Sequence, residues 1–323
     1  MKRWVIVLIA MALVGCGGPQ PAQQEASAKP AAAGRLKIAV VPKALSNQFW
    51  MTVKAGADAA GQECDAQILW QGSAKETEID RQINIVQDMV NSGVDALVLA
   101  ACDENALVQC VEQAVRKGIP VITIDSGIQS EAPLSFVATD NIAGAKAAAQ
   151  SLAALIGEEG EVGLMPFVPG AATSEMRESG FKEGIQAYSR IQLVATLYSM
   201  SDVATGMNVM QDMMTSHPNL KGVFAANEAG AIGAAQALKA ANKAGTVKLV
   251  AFDASAEQIA SLQAGVIQAL VVQNPYNMGY LGVKAAIDAI NGKAVEKRID
   301  TGVTVVTMEN FNEPEIQKLL NPV

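Results

Sequence analysis

From Leu36 onward, short apolar runs alternate with longer Ala-rich segments of helical period. The apolar runs predict strands at 37–41, 66–71, 96–101, 120–125, 135–139, 161–166, 192–198, 222–227, 248–253, 267–273 and 302–307. The intervening segments predict helices at 48–62, 76–92, 104–117, 141–156, 174–188, 202–215, 229–243, 255–264 and 276–291. Because strands and helices alternate, we expect parallel sheets with helices on both faces.

Two stretches of the chain repeat one order of features. "VLAACDENALVQCVEQAVRKGIPVITIDSG" and "VFAANEAGAIGAAQALKAANKAGTVKLVAFDAS" each have a strand, an acidic or amide tip, a helix, a glycine and a second strand ending in Asp. This echo predicts an α/β protein of two similar lobes. Ligands of such sheets bind beyond the carboxyl ends of the strands. The strand tips hold Asn47, Phe49, Trp50, Asp103, Asp125, Asn227, Glu228 and Asp253.

Taken singly, each acidic or amide residue at a strand tip has another interpretation as a helix cap or turn residue. Several of them at corresponding tips of two lobes favour a ligand cleft between the lobes.

The turn "KALSNQFW", residues 43–50, carries amides and rings where phosphate-binding loops carry glycines. Only 4% of the chain is aromatic, so two adjacent rings in a loop are informative. Sugar hydroxyls pair with amides and carboxylates, while the C–H face of a sugar packs on an aromatic ring. The turn therefore predicts a sugar site, although Phe49 or Trp50 placed in the core is the alternative.

Sequence motifs for catalysis and cofactors are missing. The chain has no GxSxG, GxGxxG, GxxxxGK[ST], HExxH or EF-hand pattern, and its one histidine, His217, is interpreted as a surface residue at a helix end. We expect no enzyme activity, no metal and no cofactor. A glycosidase needs only two carboxylates, so a carbohydrate-active enzyme remains the alternative from another class.

Three cysteines lie beyond the N-terminal region, at Cys64, Cys102 and Cys110. Without a CxxC spacing they do not predict a zinc site, and we expect small buried apolar residues. The sequence does not decide whether Cys102 and Cys110 form a disulfide.

The first residues predict export. Lys2 and Arg3 precede an apolar run that ends at Val14, as in a signal peptide over 1–15. The sequence "LVGC", residues 13–16, resembles the lipobox of bacterial lipoproteins, which implies lipid on Cys16; an ordinary cleaved signal is the alternative. Residues 16–35 then form the lipidated cysteine and a disordered tether rich in Gly, Pro, Gln and Ala.

Charge excludes one class of partner. Loss of Lys2 and Arg3 with the signal leaves 22 of the 24 basic residues against 32 acidic ones, a net charge of −10. Such a chain repels nucleic acid, so we expect no DNA or RNA partner.

Seven segments in order resemble the ribose-binding-protein branch of the type I periplasmic sugar-binding proteins. They are "KIAVVPKALSNQFW", "PVITIDSG", "SFVATDN", "TSEMRESGFKEGI", "NVMQDMMTSHPNLKGVFAANE", "LVAFDAS" and "QALVVQNP". The resemblance implies two α/β lobes joined by crossings near Thr139–Asp140, Gln273–Asn274 and Thr301–Gly302. The implied lobes are 36–139 plus 274–301 and 140–273 plus 302–323.

The resemblance also implies ligand-binding residues. Matching positions are Asn47, Phe49, Trp50, Asp125, Arg177, Asn227, Phe252, Asp253 and Gln273. Three positions depart from the ribose binders: Ser126 replaces an arginine, Lys43 replaces a serine, and Ser201 replaces an aromatic residue. We include Ser126 and Lys43 in the predicted site. Lys43 either restores the missing positive charge from the opposite side of the site or is solvated. The sequence does not identify the sugar.

The predicted function is that of a membrane-anchored, periplasmic or cell-surface, monomeric lipoprotein that captures a monosaccharide by hinge closure. The monosaccharide is a ribose-like pentose or a hexose, and the partners are the permease and ATPase of an ABC importer. The alternatives are another polyol-like ligand, such as an inositol, a nucleoside or a furanosyl signal, and a sensor role.

Overall fold

The computed structural model of the protein describes Met1 and residues 34–321. The predicted signal peptide, Cys16 and nearly all of the predicted tether lie outside the described residues. The described chain forms two lobes, each built on one six-stranded sheet. The predicted fold class is confirmed.

The first sheet is parallel throughout and has the strand order β11-β5-β4-β3-β1-β2. Its strands are β1 (Lys37–Val41), β2 (Gln67–Trp70), β3 (Ala96–Leu99), β4 (Val121–Ile124), β5 (Ser135–Ala138) and β11 (Arg298–Asp300). Its helices are α1 (Gln48–Glu63), α2 (Ile79–Asn91), α3 (Val108–Arg116) and α9 (Pro275–Ile290).

The second sheet has the order β12-β10-β9-β8-β6-β7. Its strands are β6 (Glu159–Met165), β7 (Arg190–Thr196), β8 (Leu220–Ala225), β9 (Lys248–Phe252), β10 (Ala269–Val272) and β12 (Thr304–Val306). Its helices are α4 (Asn141–Leu155), α5 (Ala172–Ile185), α6 (Val203–Ser216), α7 (Glu228–Ala240), α8 (Ala256–Gln263) and α10 (Pro314–Leu320). The edge strand β12 runs antiparallel to β10, and the other strand pairs of this sheet are parallel.

Apolar packing on both faces of each sheet explains the unbroken apolar runs. Ile38 and Val40 of β1 face α1 and α9, while Ala39 and Val41 face α2 and α3. All four side chains are buried. A strand buried on both faces has no polar alternation, which is the pattern of a parallel sheet between helices.

The chain passes three times between the two sheets. After β5 it enters α4, which packs on the second sheet, and after β10 it enters α9, which packs on the first. The third passage joins β11 in the first sheet to β12 in the second. Sequence patterns missed both β11 and α10, because a three-residue edge strand and a seven-residue helix show too little periodicity.

Two glycines set the position of α1. A Cβ on Gly56 would lie 2.0 Å from the carbonyl oxygen of Tyr276, and a Cβ on Gly279 would lie 2.0 Å from that of Val53. Helices α1 and α9 therefore approach at backbone distance. This contact fixes the middle of α1 against the helix that follows the second passage.

Cys64, Cys102 and Cys110 carry free thiols, so the Cys102–Cys110 disulfide left open by the sequence does not form. Cys102 and Cys110 are buried as predicted, whereas Cys64 is partly exposed. Within the described part of the chain, the helices are too short or too polar to cross a bilayer.

Candidate ligand-binding site

Two aspartates occupy equivalent positions in the two lobes. Asp125 follows β4, and its backbone N–H donates to Val137 O of β5 at 3.0 Å. Asp253 follows β9, and its backbone N–H donates to Val271 O of β10 at 2.9 Å. Both have left-handed φ angles, +55° and +75°. Aspartate tolerates this conformation better than most residues, and such strain is concentrated at functional sites.

Both carboxylates line one cavity of about 290 Å³ between the lobes. The first lobe contributes Lys43, Asn47, Phe49, Trp50, Glu76 and Asp125, and the second contributes Phe167, Thr173, Arg177, Asn227, Glu228, Asp253 and Gln273. Nine of the eleven predicted ligand residues therefore meet in this cavity.

Two predicted ligand residues, Ser126 and Phe252, lie behind the cavity wall rather than in it. Ser126 is fully buried, and its hydroxyl accepts a hydrogen bond from Lys43 Nζ at 2.9 Å. Phe252 packs under Arg177, whose guanidinium carbon lies 3.8 Å from the ring centroid. Both residues position charged side chains that do line the cavity.

Lys43 is buried rather than solvated, with 3% of its surface exposed. Its Nζ lies 2.9 Å from Asp125 Oδ2 and donates to Ser126 Oγ at 2.9 Å and to Thr173 Oγ1 at 3.0 Å. The two hydroxyls accept two of the three N–H groups of the ammonium, and Asp125 is its ion-pair partner. Thr173 belongs to the second lobe, so Lys43 joins the two lobes.

The charge state of Lys43 follows from its surroundings. Burial acts to lower the pKa of Lys43, but the carboxylates of Asp125 and Glu76 outweigh burial and raise that pKa above its ordinary value. Lys43 is therefore a cation that is already paired with protein groups: the Asp125 carboxylate and two hydroxyls.

Arg177 is the positively charged side chain that the second lobe contributes to the cavity. Its Nε donates to Asn141 Oδ1 at 2.8 Å, and one terminal nitrogen donates to Ala226 O at 2.7 Å. A guanidinium has five N–H donors, so these two bonds leave three without a partner among the described residues. Burial lowers the pKa of Arg177, against the opposing effect of nearby carboxylates.

Asp253 is held by two donors from its own lobe. Its Oδ1 accepts from Gln273 Nε2 at 2.6 Å, and its Oδ2 accepts from the backbone N–H of Glu228 at 2.9 Å. Burial raises the pKa of Asp253, although Arg177 and these hydrogen bonds act to lower it. The carboxylate is thus fixed in direction before any ligand arrives.

Asn227 is both a helix cap and a cavity residue, the two roles that the sequence predicts for a strand-tip amide. Its Oδ1 accepts from the backbone N–H of Gly230 at 3.1 Å and caps α7, while its Nδ2 donates to Ser201 Oγ at 2.8 Å. The side chain nevertheless lines the cavity. By contrast, Asp103 accepts from the backbone N–H groups of Asn105 and Ala106, so it is a turn residue outside the cavity.

Three cavity-lining side chains carry a buried oxygen that has no hydrogen-bond donor in the described part of the protein. These oxygens are Glu76 Oε2, Asp125 Oδ2, which makes the ion pair with Lys43 but no hydrogen bond, and Gln273 Oε1. One further such atom in residues 34–321, Ser135 Oγ, lies outside the cavity. A buried acceptor without a donor costs about 1–3 kcal/mol. The cavity is therefore suited to a ligand with several hydroxyl donors.

Four cavity residues were missed by the sequence analysis: Glu76, Phe167, Thr173 and Glu228. Glu228 was noted at a strand tip but was not included among the predicted ligand residues. Glu76 is the first residue of the helix predicted over 76–92, but α2 begins at Ile79 and leaves Glu76 in the loop after β2. Its Oε1 accepts from Trp50 Nε1 at 3.0 Å. Trp50 itself is 1% exposed, so it belongs to the core and also lines the cavity.

The carboxyl group of Glu228 predicts a pH dependence of stability. Burial, together with Asp253 and Glu76, raises its pKa from 4.5 to about 7, although the backbone N–H groups of Phe49 and Gln48 act to lower it. Between these two values the folded protein keeps a proton that the unfolded chain releases, so the free energy of unfolding should fall as pH rises from about 4.5 to about 7. The slope due to this one group should not exceed about 1.4 kcal/mol per pH unit.

This pH dependence is measured by urea unfolding at several pH values for the wild type and for Glu228→Gln. The variant should lack the Glu228 contribution, so the difference between the two proteins should change across the window. A constant difference would show that Glu228 does not titrate there.

Comparison with known proteins places this geometry among transport proteins. The family model for the periplasmic binding protein domain matches residues 38–294. The ribose import binding protein RbsB of Bacillus subtilis is 29% identical over 96% of this chain and 100% of its own length. The D-ribose/D-allose-binding protein of Pseudomonas aeruginosa is 31% identical over 95% of this chain and 98% of its own length.

Similar solved structures are also solute-binding proteins of transporters. An ABC transporter solute-binding protein from Agrobacterium vitis, crystallised with D-fucose, is 40% identical and superposes with a TM-score of 0.86, covering 88% of this chain and 99% of its own. A carbohydrate transporter solute-binding protein from Agrobacterium radiobacter, in complex with D-arabinose, is 35% identical with a TM-score of 0.87, covering 90% of this chain and 100% of its own.

Proposed function

This chain belongs to the periplasmic binding protein domain family, and from that premise we propose that it captures a neutral monosaccharide for an ABC importer. The observation that carries the proposal is the pair of buried oxygens without a donor, Glu76 Oε2 and Gln273 Oε1, which line a cavity walled by both lobes. Sugar hydroxyls supply the missing donors. The similar proteins named above bind ribose, allose, D-fucose or D-arabinose, all of them neutral sugars.

The charges of the cavity favour a neutral ligand over an acidic one. Four carboxylates, those of Glu76, Asp125, Glu228 and Asp253, line it against one ammonium and one guanidinium. The ammonium, that of Lys43, already donates to protein groups. A sugar acid would add a further negative charge to a desolvated space, which is costly.

The mechanism we propose is hinge closure. The lobes are 36–139 plus 274–301 and 140–273 plus 302–323. Because cavity-lining side chains come from both lobes, a sugar makes all of its bonds only in the closed state and therefore selects that state. In the open state each lobe offers only half of the site.

Within the proposed site, each residue has a role. The rings of Phe49 and Trp50 pack on the C–H surface of the sugar. The hydroxyl partners are Asn47, Glu76, Asp125, Arg177, Asn227, Asp253 and Gln273. Lys43, Ser126 and Phe252 hold the charged side chains in place, as their distances to Asp125 and Arg177 support.

A thermal-shift panel tests this function. It contains D-fucose, D-arabinose, D-ribose, D-allose, D-galacturonate, myo-inositol and adenosine. A neutral monosaccharide at about 100 times its dissociation constant should add about 2.7 kcal/mol of stability and raise the unfolding temperature by several degrees. D-Galacturonate should give no shift. A shift with inositol or adenosine alone would replace the monosaccharide by one of these ligands.

The relatives are transport binding proteins rather than enzymes, and we propose the same for this chain. Nitrophenyl glycosides of the sugars that bind should remain intact after long incubation. Release of nitrophenol at a rate above that of buffer would contradict the proposal.

Binding proteins of this family in ABC importers are exported, and we propose that this one is a monomer anchored by lipid on Cys16 and that it delivers sugar to a permease and its ATPase. Cys16→Ser should move the protein from the membrane fraction to the soluble fraction, because the lipid needs the thiol. Cys64→Ser, which removes a thiol from the folded lobe, is the control and should stay with the membrane. Equal fractionation of Cys16→Ser and wild type would rule out the anchor.

A further inference from the structure

Helix α1 lacks a cap from its own lobe. Asn47 is in the N-cap position, but its side chain accepts no hydrogen bond from the helix. The first backbone N–H groups of a helix need acceptors when they are buried. Glu228 provides them: its Oε1 accepts from the N–H of Gln48 at 3.1 Å, and its Oε2 accepts from the N–H of Phe49 at 3.0 Å. Glu228 belongs to the other lobe.

The exchange is reciprocal. The side chain of Gln48 extends to the second lobe, where its Oε1 accepts from the backbone N–H of Ala256 at 2.9 Å. Ala256 is the first residue of α8. Gln48 therefore begins a helix that is capped by the opposite lobe, and its own side chain caps a helix of that lobe. None of these three hydrogen bonds exists unless the lobes meet.

The cap is joined to the ligand site through one residue. The backbone N–H of Glu228 donates to Asp253 Oδ2 at 2.9 Å, while its side chain holds the start of α1. The adjoining turn carries Asn47, Phe49 and Trp50, which line the cavity. Glu228 thus connects an acceptor of the second lobe to the rings of the first.

We propose that Glu228 is a positioning residue that caps helix α1 from the opposite lobe, so that it holds the closed state and slows release of the bound sugar. A carboxylate is the strongest protein acceptor for helix N-terminal N–H groups, because both the charge assistance and the helix dipole favour it. This role rests on the proposed function, since it needs a ligand for which the lobes close.

The choice of substitution follows from a second cavity. Glu228 lines the sugar cavity and also a neighbouring space of about 480 Å³ that Gln48, Ser255 and Leu319 help to line. Alanine at this position would remove part of the wall shared by the two spaces. Glutamine keeps the volume and one acceptor oxygen while removing the charge and the second acceptor, so Glu228→Gln isolates the cap.

The test is stopped-flow binding at about pH 8, where the Glu228 carboxyl is ionised, of the panel sugar that the wild type binds most tightly. Glu228→Gln should release that sugar about tenfold faster, while the association rate stays within about twofold, because the cap forms only after closure. Gln48→Ala, which removes the reciprocal cap, should change the release rate in the same direction. Glu257→Gln is the matched control: Glu257 lies in the first turn of α8, is exposed and accepts only from Gln236 of its own lobe.

Release from Glu228→Gln at the wild-type rate would overturn the proposal, as would an equal change in Glu257→Gln. If the wild type binds no sugar of the panel, the proposed function fails, and this role, which needs a closing ligand, fails with it. Hydrogen exchange of the sugar-saturated protein is a second readout of the cap: the amides of Gln48 and Phe49 should exchange about tenfold faster in Glu228→Gln than in wild type. Equal exchange in the two sugar-saturated proteins would overturn the cap.

Discussion

Replacing Lys43 with methionine should lower the free energy of unfolding by about 3–5 kcal/mol, the usual cost of removing one partner of a buried ion pair. Methionine fills the space of the lysine stem, so packing is largely kept. The loss arises because the Asp125 carboxylate remains buried without its cation, while Ser126 and Thr173 lose their donor. Urea unfolding at neutral pH measures it.

Two further variants separate the ion pair from general damage. Lys43→Met combined with Asp125→Asn removes both charges and should recover much of the lost stability. Lys54→Met is the control, because Lys54 pairs with Asp58 on the surface of α1, where such pairs contribute about 0.5 kcal/mol or less. Equal losses in Lys43→Met and Lys54→Met, or no recovery in the double variant, would contradict the buried-pair interpretation.

Asp253→Ala should weaken sugar binding by about tenfold to several hundredfold. A hydrogen bond to a charged acceptor in a desolvated site contributes about 1.5–3 kcal/mol, and the sugar hydroxyl would be left without a partner. Asp125→Ala should weaken binding by a similar factor, because it removes the equivalent acceptor from the other lobe. Isothermal titration calorimetry gives both affinities, and small-angle scattering follows the ligand-induced closure.

The control for these variants is Asp103→Ala. Asp103 is also an acidic residue at a strand tip, but its carboxylate is used within its own turn and lies outside the cavity. It should bind sugar like the wild type. If Asp253→Ala bound and closed normally while Asp125→Ala failed, one lobe alone would hold the sugar and the two-lobe mechanism would have to be abandoned.

Much of the fold could be predicted because its determinants are local. The run 37–41 is apolar at every position but the first, which indicates a strand covered on both faces, and the structure buries Ile38 to Val41 between two pairs of helices. Elements with weak local signals were not predicted. The sequence "RID" of β11 becomes a strand only because β5 provides its backbone partners.

The residues of the candidate site likewise fall into those with a local sequence signal and those without one. Asp125 and Asp253 were found because each ends a strand of a repeated pattern, and the repeat itself shows that the two positions are equivalent. Glu76 was missed because the sequence predicts it as the first residue of a helix, whereas the structure leaves it in a loop where Trp50 holds it at the cavity wall. Ser126 and Phe252 were placed in the cavity by resemblance, whereas the structure places them behind its wall.

The sequence by itself determined the order of strands and helices, the two-lobe repeat and the strand tips that line the cavity, because these depend on hydrophobic periodicity and on residues close together in the chain. Only the tertiary structure decided that Lys43 is a buried link to Thr173, 130 positions away, and that Glu228 caps a helix beginning at Gln48, 180 positions away. The charge state and partners of such groups depend on which surfaces exclude water when the lobes meet. No local pattern in the chain records that desolvation.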